Sequence, residues 1–325
     1  MPESWFYDLF SPSHGAPQVL SVRQRRCMSL TPKISIGMPT YNSAATIGAS
    51  IESLLGQSFE DFELIISDNA STDSTRDIVE GLAQQDRRIQ YMRQPENVGA
   101  NRNYSSVARA ARGEFFKWAS SSDWFAPTFL SKCLISLEQN DDAVLAAPRT
   151  RLFAEDLRSA TDYAYDIEIL DSSPVARLVR LTANLRLNNA INGLIRMKSL
   201  RRTRLIDSFY GADEVLMGQL AMLGKVIRVD EFLYYRRMEA ATAAGQRDPI
   251  AWRMHHYPQT SARVLFQSWK KSLGWMRACM ATPMSIAERR QVLNYLVRMC
   301  YWDRRSLMQD VQGAFRYATE RVLRK

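Results

Sequence analysis

The sequence predicts an α/β fold built on a mainly parallel central sheet, followed by a helical C-terminal extension. Three observations carry that reading. From residue 33 to about 150, apolar runs of strand length alternate with segments of helix length, the pattern of strands joined by crossover helices. Two early strands end in polar residues: Ile34-Ser-Ile-Gly-Met-Pro-Thr-Tyr-Asn42 and Glu63-Leu-Ile-Ile-Ser-Asp-Asn-Ala-Ser-Thr-Asp73. Ligands of open α/β sheets sit outside the carboxyl ends of the strands, so this pair proposes a nucleotide pocket. Beyond residue 250 the chain reads as helices carrying Trp, Leu, Met and Arg.

The elements follow in order. Strands are expected at 34–39, 62–68, 89–94, 115–120 and 143–149, and helices at 44–56, 73–86, 99–111 and 127–138. Ser71 and Thr72 beside the start of the second helix, with Asp73 in its first turn, favour initiation there. Pro127 suits the first turn of its helix. A helix at 174–186, a helix ending near Leu223 and a strand at 226–230 continue the pattern. No Gly-x-Gly-x-x-Gly follows a strand and no Gly-Lys-Ser/Thr loop occurs, which removes the dinucleotide and P-loop readings.

Residues 1–32 are unlike the rest: Pro, Ser and Gly mix with Trp5, Phe6, Tyr7 and a basic Arg23-Gln-Arg-Arg26, with no apolar run after the charges. This reads as a disordered extension and not as a secretory signal. Met28 opens Met-Ser-Leu-Thr-Pro-Lys-Ile-Ser-Ile and reads as a natural start. The three expected regions are therefore 1–32, 33–245 and 246–325.

Composition narrows the chemistry. Of the 325 residues, 46% are hydrophobic, and no apolar run reaches the length of a spanning helix. Cys27, Cys133, Cys279 and Cys300 fit neither a zinc site nor a disulfide framework, so a reducing, cytoplasmic setting is the plain reading. With only His14, His255 and His256, Ser-His-Asp catalysis and a His-rich metal centre are poor fits. From Ala251 onward there are 14 Lys and Arg against 4 Asp and Glu, a net of +10, so the rest sums to −1 of the chain's +9. Such a basic segment suits phosphate or an anionic membrane surface, with a solvated helical face as the plainer alternative. No nucleic-acid motif accompanies the charge.

Further landmarks are Pro95-Glu-Asn-Val-Gly99 with Asn103, Arg112-Gly-Glu-Phe-Phe-Lys-Trp118, Gly211-Ala-Asp-Glu-Val-Leu216 and a closing Leu223-Gly-Lys-Val-Ile-Arg-Val-Asp-Glu-Phe-Leu-Tyr-Tyr-Arg-Arg237. Together with the two strand ends, and in this order, they resemble the family-2 glycosyltransferases over residues 33–240. The resemblance implies a GT-A type, nucleotide-binding α/β/α sandwich. It implies an inverting transfer of a sugar from a nucleotide-diphosphate donor to a saccharide or lipid-linked acceptor hydroxyl. Asp68 is expected to read the donor base and Tyr41 to cover it, with Pro39, Thr40, Asn42 and Asn69 around the pocket. Asn97 and Asn103 follow, with Arg102 as a phosphate contact. Asp213 is the expected general base, since a weak hydroxyl nucleophile needs a carboxylate to take its proton; Glu214 is the adjacent alternative. Each position has a plainer role: Asp68 as a turn residue, Arg102 as an exposed helix residue, Asp213 as a charge on a helix N-terminus.

The sequence departs from the family at the metal motif. Where the family pattern is Asp-x-Asp-Asp, this chain reads Ser120-Ser121-Ser122-Asp123. Relatives commonly have His where Glu239 stands. One reading has Asp123 and Glu239 holding Mg²⁺ or Mn²⁺ with Ser122 or water filling in. In another, Arg236, Arg237 or other cations meet the phosphates instead. A third is a degenerate transferase that binds nucleotide-sugar as a scaffold. Trp269, Trp275 and Trp302 among basic residues allow a peripheral site on the inner membrane face, or helices packed back onto the catalytic fold.

Overall fold

The computed structural model describes residues 31–238 and 266–323. The expected 1–32 extension, the boundary near 245, Glu239, His255 and His256 lie wholly or mostly outside the described residues. Strand β1 (Ile34–Thr40) and strand β2 (Phe62–Asp68) are buried along their whole length. That is why both read as near-continuous apolar runs and not as alternating ones. Helix α1 (Ile47–Leu55) joins them and buries Ile47, Ile51 and Leu54, a one-sided stripe at helical spacing. Helix α2 (Thr75–Gln85), β3 (Ile89–Arg93), α3 (Ala100–Ala110) and β4 (Phe115–Trp118) extend the alternation.

The remaining elements are β5 (Trp124–Phe125), α4 (Phe129–Glu138), β6 (Ala143–Phe153), β7 (Thr161–Asp162), α5 (Pro174–Asn184), β8 (Leu194–Arg196), α6 (Met197–Leu200), α7 (Ala212–Leu223) and β9 (Lys225–Arg237). Helices α8 (Gln267–Ala281), α9 (Ile286–Trp302) and α10 (Arg304–Leu323) follow. Pro127 precedes α4 by two residues instead of opening its first turn; its carbonyl accepts from the Ser58 N–H at 2.8 Å.

Along the sheet the order is β3-β2-β1-β4-β8-β6-β9-β5, with β7 beside β6. It is mixed and not purely parallel. Strands β1 to β4 pair in parallel, as do β6 and β9, whereas β5, β7 and β8 pair antiparallel. Those three are two or three residues long, too short for alternation to announce them. Helices α1, α2 and α4 cover one face. Helices α3, α5 and α7 cover the other, where Trp275 and Ala278 of α8 and Val292 and Leu296 of α9 join the same core.

The Arg112-Gly-Glu landmark has a packing reason. Glu63, buried in β2, accepts from both Nε and Nη2 of Arg112 at 3.1 and 2.6 Å and from the Ser35 hydroxyl at 2.6 Å. Burial pushes the Glu63 carboxyl up, but these donors more than offset it and hold it below the usual range. A Cβ at Gly113 would stand 2.6 Å from the Ser35 nitrogen, so only glycine fits there.

The C-terminal helices dock on α7. A Cβ at Gly218 would lie 2.0 Å from the Trp275 ring, so helix and indole meet at backbone distance. Trp275 is buried, while Trp269 and Trp302 remain about half exposed. No helix among the described residues is long and apolar enough to cross a membrane.

Candidate active site

Thr40 pairs with Asp68 across β1 and β2, so both strands end at one level. The loops that leave them are laced together. The Asn69 N–H donates to the Thr40 carbonyl at 2.9 Å, the Asn42 N–H to the Ser71 hydroxyl at 2.9 Å, and the Thr72 N–H to Asn42 Oδ1 at 2.8 Å. Ser43 N–H reaches the Thr75 hydroxyl at 2.8 Å and Ala44 N–H reaches Asp73 Oδ2 at 3.0 Å. Asn42 and Ala70 take the left-handed conformation that these tight exits require.

Most predicted donor residues form this frame. Asn103 is buried, accepts from the Ser67 hydroxyl at 2.6 Å, and donates to the Ser67 and Thr40 carbonyls at 2.8 and 3.4 Å. It therefore ties α3 to the ends of both strands. Asn69 donates to Asn97 Oδ1 at 2.8 Å and accepts from the Val98 N–H at 2.9 Å. Pro39 is buried, Tyr41 is half-buried, and Arg102 is exposed on α3. Asp68 is fully buried; it accepts from the Ser71 N–H at 2.8 Å and the Tyr91 hydroxyl at 2.7 Å, with Arg93 Nε at 3.6 Å. The turn role of Asp68 is thus in place, and a carboxylate's further lone pairs leave room for one more donor.

The serine segment closes the rim. Thr46 and Ser50 hydroxyls donate to the Ser121 and Ser120 carbonyls at 2.9 and 2.8 Å. Ser121 Oγ donates to Ser43 Oγ at 2.9 Å, and the Ser120 and Ser122 hydroxyls share a 3.0 Å bond. Asp123 turns away from them toward β9: the Tyr234 hydroxyl donates to Oδ2 at 2.5 Å and the Arg237 N–H to Oδ1 at 2.9 Å. Burial raises the Asp123 carboxyl above its ordinary value despite these bonds. The expected metal role for Asp123 meets a physical obstacle here. Hard divalent cations want several oxygens, carboxylates above all. The described residues offer neutral hydroxyls bonded to one another and one carboxylate facing the protein, and no group of three His, Cys, Asp or Glu. The described residues alone do not fit a divalent ion; Glu239, the other expected ligand, lies outside them.

Helix α7 places the acidic pair. Gly211 precedes it in the left-handed conformation, and Asp213 and Glu214 fill its first turn. The two acids differ in their partners. Glu214 is bound to Lys271 of α8 at 2.6 Å. Asp213, half-buried, accepts from Asn188 Nδ2 at 2.9 Å through one oxygen only.

Sequence reasoning missed the polar cluster beside it. Asn189, buried, accepts from Arg236 Nη1 at 2.7 Å and donates to Asp166 at 3.2 Å; Asp166 accepts from the Thr150 N–H at 2.6 Å and its hydroxyl at 2.7 Å. The signal was the Asn188-Asn189-Ala-Ile-Asn192 run, polar where a core segment was forming. Burial pushes the Tyr104 hydroxyl up to about 12, with Asp123 and Asp213 adding and Arg236 opposing. Asn188 and Asn189 are adjacent, so Asp213 and Arg236, which they bind, share one neighbourhood. Among the described residues, Thr40 Oγ1 and Asn188 Oδ1 are buried without a protein partner, and such orphans point to a ligand or water.

A family model described as glycosyl transferase family 2 matches residues 35–204, just over half of the chain. A Campylobacter jejuni protein named GalNAc(5)-diNAcBac-PP-undecaprenol beta-1,3-glucosyltransferase is 36% identical over 93 residues, 28% of this chain and 30% of that one. An uncharacterized glycosyltransferase of Haemophilus influenzae is 33% identical over 109 residues, 34% of this chain and 44% of that one. The matched stretch thus spans about a third to under a half of these relatives' length. Among solved structures, S. aureus TarS 1-349 in complex with UDP-GlcNAc superposes with a TM-score of 0.58 at 17% identity, covering 83% of this chain and 72% of that one. A Pyrobaculum calidifontis mannosyltransferase in complex with GDP-Man and Mn²⁺ gives 0.52 at 16% identity, covering 91% and 81%. Those two likenesses speak for the GT-A fold. The family match runs through both strand-end loops, the serine segment and the asparagine pair, and the chain belongs to glycosyl transferase family 2.

Proposed function

We propose that this chain is an inverting glycosyltransferase that moves one sugar from a nucleotide-diphosphate donor to a hydroxyl of a saccharide or lipid-linked acceptor. The observation that carries it is the pairing of the acids at the start of α7. Lys271 neutralises Glu214, while Asp213 keeps an oxygen without a described partner. A carboxylate in that state is the one able to take a proton. The laced loops after β1, β2 and β4 supply the donor rim, with Asp68, Tyr41 and Thr40 at its floor. Neighbours solved with UDP-GlcNAc and GDP-Man support a nucleotide-sugar donor. The undecaprenol-linked name of a relative supports a lipid-linked acceptor.

The test compares Asp213→Asn with Glu214→Gln. Asp213→Asn lowers turnover by about 10²- to 10⁴-fold and leaves nucleotide affinity within a few-fold by calorimetry. Glu214→Gln keeps most turnover. Retained turnover in Asp213→Asn sinks the base assignment.

A second reading concerns location. Tyr301, Trp302, Met308 and Phe315 are exposed on α9 and α10, beside Arg298, Arg304 and Arg305. Apolar anchors among cations support peripheral binding to an anionic inner-leaflet surface. Sedimentation with phosphatidylglycerol vesicles, and its absence with neutral ones, is the expected result.

A further inference from the structure

The carboxylate set that relatives use for a cation is replaced here by hydroxyls bonded to each other and by Asp123, whose two oxygens face β9. The charge that builds on a departing diphosphate still needs a counter-charge. We propose that the Arg236 guanidinium supplies it, so that this chain binds and releases its nucleoside diphosphate without a divalent ion. The inference rests on the transferase reading above.

Four observations point to Arg236. Side chains two apart on a strand share a face, and Tyr234, two residues earlier, reaches Asp123 at the end of the serine segment. Arg236 therefore leaves β9 on the side of the rim. Its neighbour Arg237 is already committed to backbone carbonyls: it donates to those of Ser122 and Ala154 at 3.2 and 2.8 Å and lies over the Phe153 ring at 4.7 Å. Arg236, half-buried, makes one described hydrogen bond, to the neutral Asn189 Oδ1 at 2.7 Å, and among the described residues it has no carboxylate within ion-pair distance. A guanidinium has five N–H donors, and its one described bond leaves donors to give.

It is also held in place. Asn189 is fixed by Asp166, and Asp166 by Thr150 in the middle of β6. A preorganised cation stabilises developing charge without rearranging during the reaction. The neighbourhood includes the base: the adjacent Asn188 and Asn189 bind Asp213 and Arg236 respectively.

The step balances with these residues. The acceptor oxygen bonds to the anomeric carbon, and its proton passes to the Asp213 carboxylate. The bond from that carbon to the diphosphate oxygen breaks, and the electron pair stays on the oxygen. The diphosphate gains one negative charge, which Arg236 meets as a paired N–H donor to phosphoryl oxygens.

The experiment titrates the full chain with UDP, GDP and dTDP, and with the matching nucleosides, in EDTA and in Mn²⁺. The expected result is a diphosphate bound far more tightly than its nucleoside in EDTA, with turnover unchanged by the chelator. Arg236→Gln removes about ten- to a hundredfold of the diphosphate affinity and leaves the nucleoside affinity alone. Arg236→Lys, which keeps the charge and the packing, recovers part of it. Diphosphate binding and turnover that vanish in EDTA and return with Mn²⁺ overturn the inference while leaving the transferase reading intact. An Arg236→Gln protein that keeps the parent's diphosphate affinity in EDTA overturns it too. No binding of any of the three nucleotides in either condition removes both readings.

Discussion

Lys117 offers a direct measurement of what burial does to a charge in this fold. It sits in β4, fully buried, three residues before the serine segment. Its ammonium lies over the rings of Phe125 and Phe129 at 3.9 and 4.0 Å and donates to the Asn192 carbonyl at 2.7 Å. Burial still dominates: the pKa falls from 10.5 to about 7, with Asp123 opposing only in part. In the unfolded chain the amine holds its proton up to its ordinary pKa. Between those two values the unfolded state therefore binds one more proton than the folded state, and stability rises with pH. The penalty is complete below about pH 7 and gone above the unfolded pKa. From about pH 6 to about pH 9 it relaxes by roughly 2.5 kcal/mol, at about 1.4 kcal/mol per pH unit where only the unfolded chain is protonated. Lys117→Met keeps the length of the side chain and removes the charge. It leaves the Asn192 carbonyl without its donor, a loss of about 1 kcal/mol that does not vary with pH. Urea unfolding of both proteins across this range gives the difference curve, in which unrelated titrations cancel. The stability of the parent relative to Lys117→Met should climb by roughly 2.5 kcal/mol over the window. A difference constant to about 0.5 kcal/mol refutes the reasoning.

Two further changes test the packing around the site. Tyr234→Phe strips the donor from Asp123 Oδ2 inside the core, and urea unfolding should register a loss of about 1–3 kcal/mol. Unchanged stability would mean that the carboxyl finds another partner. Gly218→Ala forces a methyl to within 2.0 Å of the resting position of the Trp275 ring, so α8 must shift. Unfolding free energy should drop by about 1–3 kcal/mol, with faster amide exchange in α8; an unaltered α8 exchange pattern contradicts the docked arrangement.

Much of the core was legible because it is written in local period. The expected strands at 34–39 and 62–68 lie within a residue of β1 and β2, and the helices at 44–56, 73–86 and 174–186 bracket α1, α2 and α5. A doubly buried strand has to be apolar throughout, and an amphipathic helix has to repeat its stripe. Strands β5, β7 and β8 were invisible, since two or three residues carry no period and gain their pairing from the neighbours β9, β6 and β4.

The site divides along the same line. Order and residue type placed Asp68, Asn42 and Asn69 at the strand ends, because a chain leaving a buried strand needs side chains that bond their own backbone. Which atoms those side chains meet depended on contacts 28 to 36 residues away, such as Ser67 with Asn103 and Asn69 with Asn97. Asp213 and Glu214 are adjacent in sequence and share one helix turn, so no local rule separates them. Lys271, 57 residues further on, neutralises one and leaves the other. Asp123 likewise reads as a metal carboxylate by position, and only the arrival of Tyr234 and Arg237 on β9, more than 110 residues later, turns it inward. The sequence alone determined the alternating α/β frame and the polar strand ends, because those follow from the burial of neighbouring residues. Charge state and partner choice at the site were decided by tertiary structure, because an ionisable group is defined by what surrounds it in space.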